Sequence, residues 1–140
     1  MPARLDFDLP VSYRNIGNKS LPMATVTFLP AGASGREFQS WAIVDSGAEV
    51  SHFPADVCPV IGIPDFRTGI ADTAKGIGGQ VDTWVHIVHL RVFNIELNAP
   101  VAFADPFNFD YPLLGRLDVF SRFKICFRES RSVFHVATTP

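Results

Sequence analysis

Asp45 is the residue best placed to do chemistry in this 140-residue sequence, because it ends an apolar run typical of a buried strand. Ser46 and Gly47 follow it, so the carboxylate lies where the chain must turn. A carboxylate there either accepts hydrogen bonds from the turn's backbone N–H groups, with Gly47 supplying the turn, or acts as a general acid or base. An Asp-Ser/Thr-Gly triplet arises by chance in about 3 or 4% of chains this long, so the triplet alone does not decide.

Other residues capable of chemistry are less well arranged. Four side chains are of types that bind metal ions: His52, His86, His89 and Cys58. His86 and His89 are three positions apart on a predicted strand, so they point to opposite faces and do not share an ion. No nucleophile elbow of the Gly-x-Ser-x-Gly kind surrounds Ser46, Ser51 or Ser121. We therefore expect no bound metal, no cofactor and no serine hydrolase.

Short strands are predicted to hold Asp45 in place. Eleven prolines and ten glycines interrupt the chain, and the intervals are rich in Val, Ile, Phe, Thr and Trp. Residues 24–29 predict a half-exposed strand and residues 40–44 a central one. Residues 69–93 predict a hairpin with a glycine-rich tip, residues 95–103 an extended segment, and residues 124–137 a closing hairpin.

Helix is expected near the C-terminus only. Leu117, Phe120 and Phe123 recur at helical spacing, whereas Pro59 limits residues 54–64 to a connection with at most a turn or two of helix. The predicted fold is all-β and barrel-like, with one short C-terminal helix. Residues 21–140 are expected to form the domain, and residues 1–20 an extension that adds an edge strand or joins an interface.

Three motifs follow one another in the order found in a known family. They are Ala-Ile-Val-Asp-Ser-Gly-Ala at positions 42–48, Gly-Ile-Gly-Gly at positions 76–79 and Leu-Leu-Gly-Arg at positions 113–116. Together they resemble the retropepsin-like aspartic proteases, over about positions 20–127. The resemblance implies an acid-protease β-barrel in which the glycine-rich hairpin is a flap that closes over a peptide.

The resemblance also implies roles for individual residues. Those matching the catalytic motif are Asp45 as the catalytic aspartate, Ser46 as the hydroxyl that braces the aspartate pair across subunits, and Gly47 as the glycine of the close turn. Those matching substrate contacts are Ala48, Glu49, Gly76, Ile77, Gly78 and Gly79. Those matching structural support are Leu114, Gly115 and Arg116, with Arg116 expected to pair with Glu49.

Family chemistry explains how one aspartate in each chain suffices. Peptide hydrolysis needs a base to activate water and an acid to protonate the leaving amine. Two carboxylates about 3 Å apart, at an effective dielectric of about 20, repel by roughly 5 kcal/mol, so an aspartic-protease pair shares one proton over a wide pH range. The triplet occurs once here, so the resemblance implies a homodimer that cleaves peptides, between apolar residues, at an Asp45/Asp45′ dyad.

Charge and composition narrow the expected partners. The formal net charge is −2 and the basic residues are scattered, so neither nucleic acid nor a membrane surface is expected to bind. No secretory signal opens the sequence and no apolar stretch approaches about 18 residues, so a cytoplasmic protein is expected. Cys58 and Cys126 are expected to be small buried hydrophobes in a reducing compartment.

Two functions of different classes stay open at this point. The first is an aspartic endopeptidase, with apolar side-chain pockets expected near Trp84, Ile87 and Phe103. The second is a catalytically silent retropepsin-like module that dimerises or binds peptides, with Asp45 misaligned or the groove blocked, because a fold does not fix a function.

Overall fold

The computed structural model describes residues 9–76 and 79–139. The strands in that part of the chain are β1 (Leu9–Ser12), β2 (Arg14–Ile16), β3 (Lys19–Leu21), β4 (Met23–Phe28), β5 (Phe38–Val44), β6 (Ser51–Pro54), β7 (Ile70–Gly76), β8 (Gly79–Val92), β9 (Ile95–Ala104), β10 (Leu113–Leu114), β11 (Phe123–Arg128) and β12 (Val133–Thr138). The α-helix is α1 (Val57–Ile61), and single turns of 3-10 helix occupy Phe66–Thr68, Phe120–Arg122 and Glu129–Arg131.

The largest sheet closes on itself. Its strand order is β4-β5-β10-β6-β9-β8-β7, and β4 also pairs with β8, so six strands form a barrel from which β7 extends. The barrel is filled by apolar side chains, of which Phe28 and Phe53 pack edge to face with ring centroids 4.8 Å apart. The predicted all-β class is confirmed. The strand predicted to be half exposed is β4, and it is almost wholly buried, with Thr25 as its one half-buried residue.

The helix prediction was wrong in its location. The segment expected to be helical forms turns and the 3-10 turn Phe120–Arg122, because Asp118 takes a left-handed φ of 59° that interrupts any α-helix. Within the described residues α-helix occurs instead at Val57–Ile61, where a connection was predicted. Pro59 is tolerated there because first-turn N–H groups have no partner inside the helix. Gly62 ends this helix at a φ of 99°.

The hairpin predicted over residues 69–93 is confirmed as β7 and β8. The two strands pair from Ile70↔Val85 to Gly76↔Gly79, and residues 77–78 lie outside the described residues. Only the first half of β8 pairs with β7, whereas its second half belongs to the barrel and pairs with β9 and β4. The hairpin is therefore a continuation of a barrel strand.

Leu9–Ser12 joins Phe123–Arg128 and Val133–Thr138 in a separate three-stranded sheet of order β1-β12-β11. The closing hairpin predicted over residues 124–137 is confirmed as β11 and β12, and β1 adds to its outer edge. The Tyr13 hydroxyl donates to Glu129 Oε1 at 3.1 Å, and Phe134 of β12 packs into the main core. In the described ranges, no helix is long and apolar enough to cross a membrane.

Candidate active site

Asp45 immediately follows β5, at the point where a later strand is inserted beside it. β10 lies between β5 and β6, with Leu114 opposite Val44 and Leu113 opposite His52. The Asp45 backbone N–H donates to the Leu114 carbonyl at 3.0 Å. The end of β5 is therefore fixed by a segment almost 70 positions further along the chain, as the residue numbers show.

The two oxygens of the Asp45 carboxylate have different surroundings. Oδ1 accepts a hydrogen bond from the Gly47 N–H at 2.9 Å, and the Ala48 N–H donates to the Asp45 carbonyl at 3.2 Å, so the expected Asx turn is present. Across residues 9–76 and 79–139, no protein donor contacts Oδ2. The turn thus orients the carboxylate and leaves one oxygen for other partners.

Gly47 takes part in the turn without a left-handed backbone conformation. It is not among the described glycines with positive φ, so the turn does not depend on a left-handed conformation here. A Cβ at this position would lie 3.2 Å from Asp45 Oδ1. The missing side chain therefore keeps the carboxylate accessible.

A cavity of about 610 Å³ lies against Asp45. One wall is formed by the loop after β5 and by β6, and another by the β7–β8 hairpin. Lining residues from the first wall are Asp45, Gly47, Ala48, Glu49, Val50 and His52. Those from the hairpin are Asp72, Thr73, Ala74, Lys75 and Thr83, and Ala102, Phe109 and Leu113 complete the lining. The volume falls in the range of small-molecule and peptide side-chain pockets.

His52 is the lining residue whose protonation is most affected by its surroundings. Its ring lies 5.2 Å from the ring of Phe109, and its Nδ1 is buried with no hydrogen-bond partner among the described residues. Burial lowers the pKa of His52, and the nearby carboxylates of Asp45 and Asp72 partly oppose that shift. The imidazole is therefore predominantly neutral at neutral pH.

Gly115 holds the two loops of the site together. Its N–H donates to the Oγ of the fully buried Ser51 at 2.9 Å, and a Cβ at Gly115 would lie 2.6 Å from the Val50 carbonyl carbon. The next two residues continue the contact, because the Arg116 N–H donates to the Ala48 carbonyl at 2.9 Å and the Leu117 N–H to the Glu49 carbonyl at 2.8 Å. Backbone hydrogen bonds therefore position Ala48 and Glu49.

Among the described residues, no ion pair joins the side chains of Glu49 and Arg116, although one was expected. Both residues are exposed, and an exposed ion pair contributes little to stability. They instead line a second cavity of about 580 Å³ beside Leu117 and Phe120. The backbone joins these two segments where a charge pair was predicted.

The predicted flap glycines are only partly accounted for. Ile77 and Gly78 lie outside the described residues, and Gly79 takes a φ of 112° at the start of β8. The described hairpin residues on the cavity wall are those of β7 from Asp72 to Lys75, together with Thr83. Ser46 is exposed beside Asp45 and is not part of the cavity lining.

Ten of the fourteen lining residues were not among the predicted site residues, and they include His52, Asp72, Thr83 and Phe109. Asp72 and Thr83 are register partners in the hairpin, so pairing outward from its glycine tip would have placed them together on one face. Alternation along β6, where Ser51 and Phe53 are buried, would have pointed His52 to the opposite face. No comparable signal marks Phe109, which lies in a loop.

The apolar pockets expected around Trp84, Ile87 and Phe103 are not found there. Phe103 is fully buried in the core, Trp84 packs on Phe66 with ring centroids 5.2 Å apart, and Ile87 is 70% exposed. None of the three lines either cavity described above. Burial in the core therefore makes Phe103 unavailable to a ligand.

The histidines of β8 have separate partners. His86 Nε2 lies 2.7 Å from the Phe66 carbonyl, and His89 Nε2 lies 3.3 Å from Glu96 Oε2. Their odd spacing places them on opposite faces of the strand, as predicted.

No protein-family model matches the chain, and no curated protein matches it at a significant level of sequence similarity. The order of the three motifs is therefore a resemblance only, and we infer function from the residues and their geometry.

Proposed function

We propose that this protein is an aspartic endopeptidase of the retropepsin-like type, in which Asp45 pairs with Asp45 of a second copy. One observation carries this proposal: Asp45, whose Oδ2 meets no protein donor among the described residues, lines a cavity that the β7–β8 hairpin also lines. The cavity is large enough for peptide side chains, and a hairpin that borders it would act as the flap.

The chemistry follows from sharing one proton between two carboxylates. The ionised carboxylate takes a proton from water, whose oxygen attacks the peptide carbonyl carbon, while the protonated carboxylate stabilises the carbonyl oxygen. Collapse of the resulting intermediate breaks the C–N bond, and the leaving nitrogen takes a proton from the dyad. No group other than the two carboxylates and one water is consumed or needed for the proton transfers.

Neighbouring residues would orient this pair. The Gly47 N–H holds Oδ1 of Asp45 at 2.9 Å, which would fix the orientation of the carboxylate in the cavity lining. Ser46 is exposed next to it and is available to contact a second copy, as expected for a hydroxyl that braces the dyad. Ala48 and Glu49 lie on the same wall, where they would contact the backbone of a bound peptide.

The proposed partners are a second copy of this chain and a peptide or protein substrate cut between apolar residues. Asp45 belongs to the one Asp-Ser/Thr-Gly triplet of the sequence, so a single chain would hold half of the active site. We also propose a cytoplasmic setting, which is supported by two free cysteines, one of them buried.

The rival function is a catalytically silent module of the same fold that dimerises or binds peptides. The observation in its favour is the Asx turn, because the bond from Gly47 gives Asp45 a structural role that needs no catalysis. A peptide-sized cavity is equally compatible with binding alone.

The proposed function predicts that Asp45→Asn abolishes cleavage of a diverse peptide pool between about pH 4 and 7. Asparagine keeps an oxygen that accepts from Gly47, so the turn is retained while the shared proton is lost. We expect the variant to lose activity by at least about a thousandfold. Chelators should not affect cleavage by the wild type. Liquid chromatography with mass spectrometry of the digested pool measures this.

Asp72→Asn is the matched control, since Asp72 lines the same cavity from the hairpin and belongs to no dyad. It should retain activity within about tenfold of the wild type. Equal activity in the wild type and Asp45→Asn would exclude Asp45 as the catalytic group. A dimer that binds peptides and cuts none would support the binding module instead.

A further inference from the structure

His52 is a titratable group within the proposed peptide site that neither the catalytic chemistry nor the fold uses. It lies on β6, opposite Leu113 of β10 and Ala102 of β9, and it lines the same cavity as Asp45. Its Nδ1 is buried without a hydrogen-bond partner among the described residues, and Phe109 packs against its ring at 5.2 Å. The imidazole is thus held in place by packing.

The charged groups that line the cavity together with His52 come from two segments, and those that act on its pKa are Asp45 and Asp72. The loop after β5 contributes Asp45 and Glu49, and the hairpin contributes Asp72 and Lys75. The lining residues from β9, β10 and the loop at Phe109 are uncharged. When the imidazole is neutral, the lining carries three carboxylates and one ammonium group. This excess of negative charge disfavours an acidic peptide side chain.

We propose that His52 sets the charge selectivity of this cavity: a neutral imidazole favours uncharged or basic peptide side chains, and a protonated one admits acidic side chains. This inference rests on the proposed peptide-binding function. Protonation adds one positive charge beside the bound side chain, in a cavity partly shielded from solvent, where such a charge changes affinity by about threefold to tenfold.

The direction of the pH effect follows from burial. An exposed histidine has a pKa of about 6.5, and burial lowers the pKa of His52 below that value. A glutamate side chain is ionised throughout the interval from about pH 5.5 to 7.5. The preference for glutamate over glutamine should therefore rise as the pH falls across that interval.

The test is affinity selection from a peptide library that carries a central reduced amide bond, which binds but is not cut. Glu, Gln and Lys are varied at the flanking positions, and pools bound to the immobilised full chain at about pH 7.5 and 5.5 are sequenced. For the wild type we expect the Glu-to-Gln ratio to rise about threefold to tenfold at the lower pH. In His52→Gln the ratio should not change.

His89→Gln is the matched control, because His89 lies outside the cavity lining and pairs with Glu96 on the surface. It should keep the wild-type pH dependence. A second readout needs no variant: the His52 imidazole, followed by NMR, should titrate at a higher pH with a bound Glu peptide than with its Gln counterpart, by linkage. A flat ratio in the wild type, or an unchanged pH effect in His52→Gln, would overturn the assignment.

The same library with ordinary amide bonds separates this inference from the proposed activity. Binding with the expected pH dependence and no cleavage would contradict the protease and leave the role of His52 standing. Cleavage with a Glu-to-Gln ratio that does not change with pH would support the protease and contradict the role of His52. Failure of every peptide to bind at both pH values would overturn both.

Discussion

At the scale of single residues, Asp45 combines a structural contact with a free acceptor. Oδ1 closes the turn through the Gly47 N–H, and Oδ2 meets no protein donor among residues 9–76 and 79–139. A glycine at position 47 keeps the first oxygen accessible, because a Cβ would lie 3.2 Å away from it. The local sequence thus fixes the direction of the carboxylate, while a second copy would have to supply its catalytic partner.

His52 also predicts how stability depends on pH. Its pKa is lowered mainly by burial, so the unfolded chain takes up a proton at a higher pH than the folded chain does. The stability that His52 contributes is present above its unfolded pKa of about 6.5 and is lost as the pH falls through its folded value. Replacing it with an uncharged residue should reduce that loss.

We therefore expect His52→Gln to lose less free energy of unfolding than the wild type when the pH falls from about 7 to 5. Urea unfolding at the two pH values measures the difference. His89→Gln is again the control and should follow the wild type. An identical pH dependence in the wild type and His52→Gln would show that the imidazole is not desolvated.

The sequence reveals these residues unequally. Asp45, Ser46 and Gly47 are adjacent, so their turn was predictable from local chemistry. The cavity lining depends on strand pairing between distant segments. Local sequence patterns do not predict which distant strands pair. The pair expected between Glu49 and Arg116 illustrates the limit, since the two segments do meet, through the Leu117 N–H and the Glu49 carbonyl at 2.8 Å.

At the scale of elements, β10 is a two-residue strand on which the site depends. It separates β5 from β6, and the Gly115 that follows it has no room for a side chain, with a hypothetical Cβ 2.6 Å from the Val50 carbonyl oxygen. That neighbour is backbone, so it cannot yield by changing a rotamer. The close approach is what lets Gly115 donate to Ser51.

Gly115→Ala should therefore lower the free energy of unfolding by about 1–3 kcal/mol and reduce activity, because it separates the segments that position Ala48 and Glu49. Chemical denaturation with an activity assay on the folded fraction measures both effects. Ser130→Ala, on the exposed 3-10 turn Glu129–Arg131, should change stability by less than about 0.5 kcal/mol. Unchanged stability in Gly115→Ala would mean that the loops are free to separate.

Elements with strong local signals were the predictable ones. The β7–β8 and β11–β12 hairpins follow from apolar strands around glycine or polar turns. The helical spacing of Leu117, Phe120 and Phe123 misled, because Asp118 adopts a left-handed conformation that no periodicity rule detects. α1 stays within the turn or two of helix that Pro59 was expected to allow, and Pro59 falls in its first turn.

At the scale of the whole molecule, the fold is a closed barrel with a terminal sheet attached. Closure through β4 and β8, and the insertion of β10, both join segments far apart in sequence, with Ser51 and Gly115 separated by 64 positions. Such non-local pairings are set by the collective burial of the core and not by any one segment. They were beyond the reach of local patterns, whereas the all-β class was not.

The terminal sheet ties residues near the N-terminus to the end of the chain. β1 pairs with β12, and burial together with the hydrogen bond to Glu129 raises the pKa of Tyr13, so the phenol stays protonated. The far edges of β1 and β11 are unpaired among the described residues. Free edges of this kind accept further strands, and we propose them as surfaces available to the second copy.

The central claim, that two chains share one active site, is tested most directly by mixing subunits. Wild-type and Asp45→Asn chains are unfolded together in equal amounts, refolded, and assayed for peptide cleavage at a fixed total concentration. If each site needs Asp45 from both chains, random pairing leaves about one quarter of the activity of the pure wild type. About one half would mean that each chain works alone, and would contradict the shared dyad.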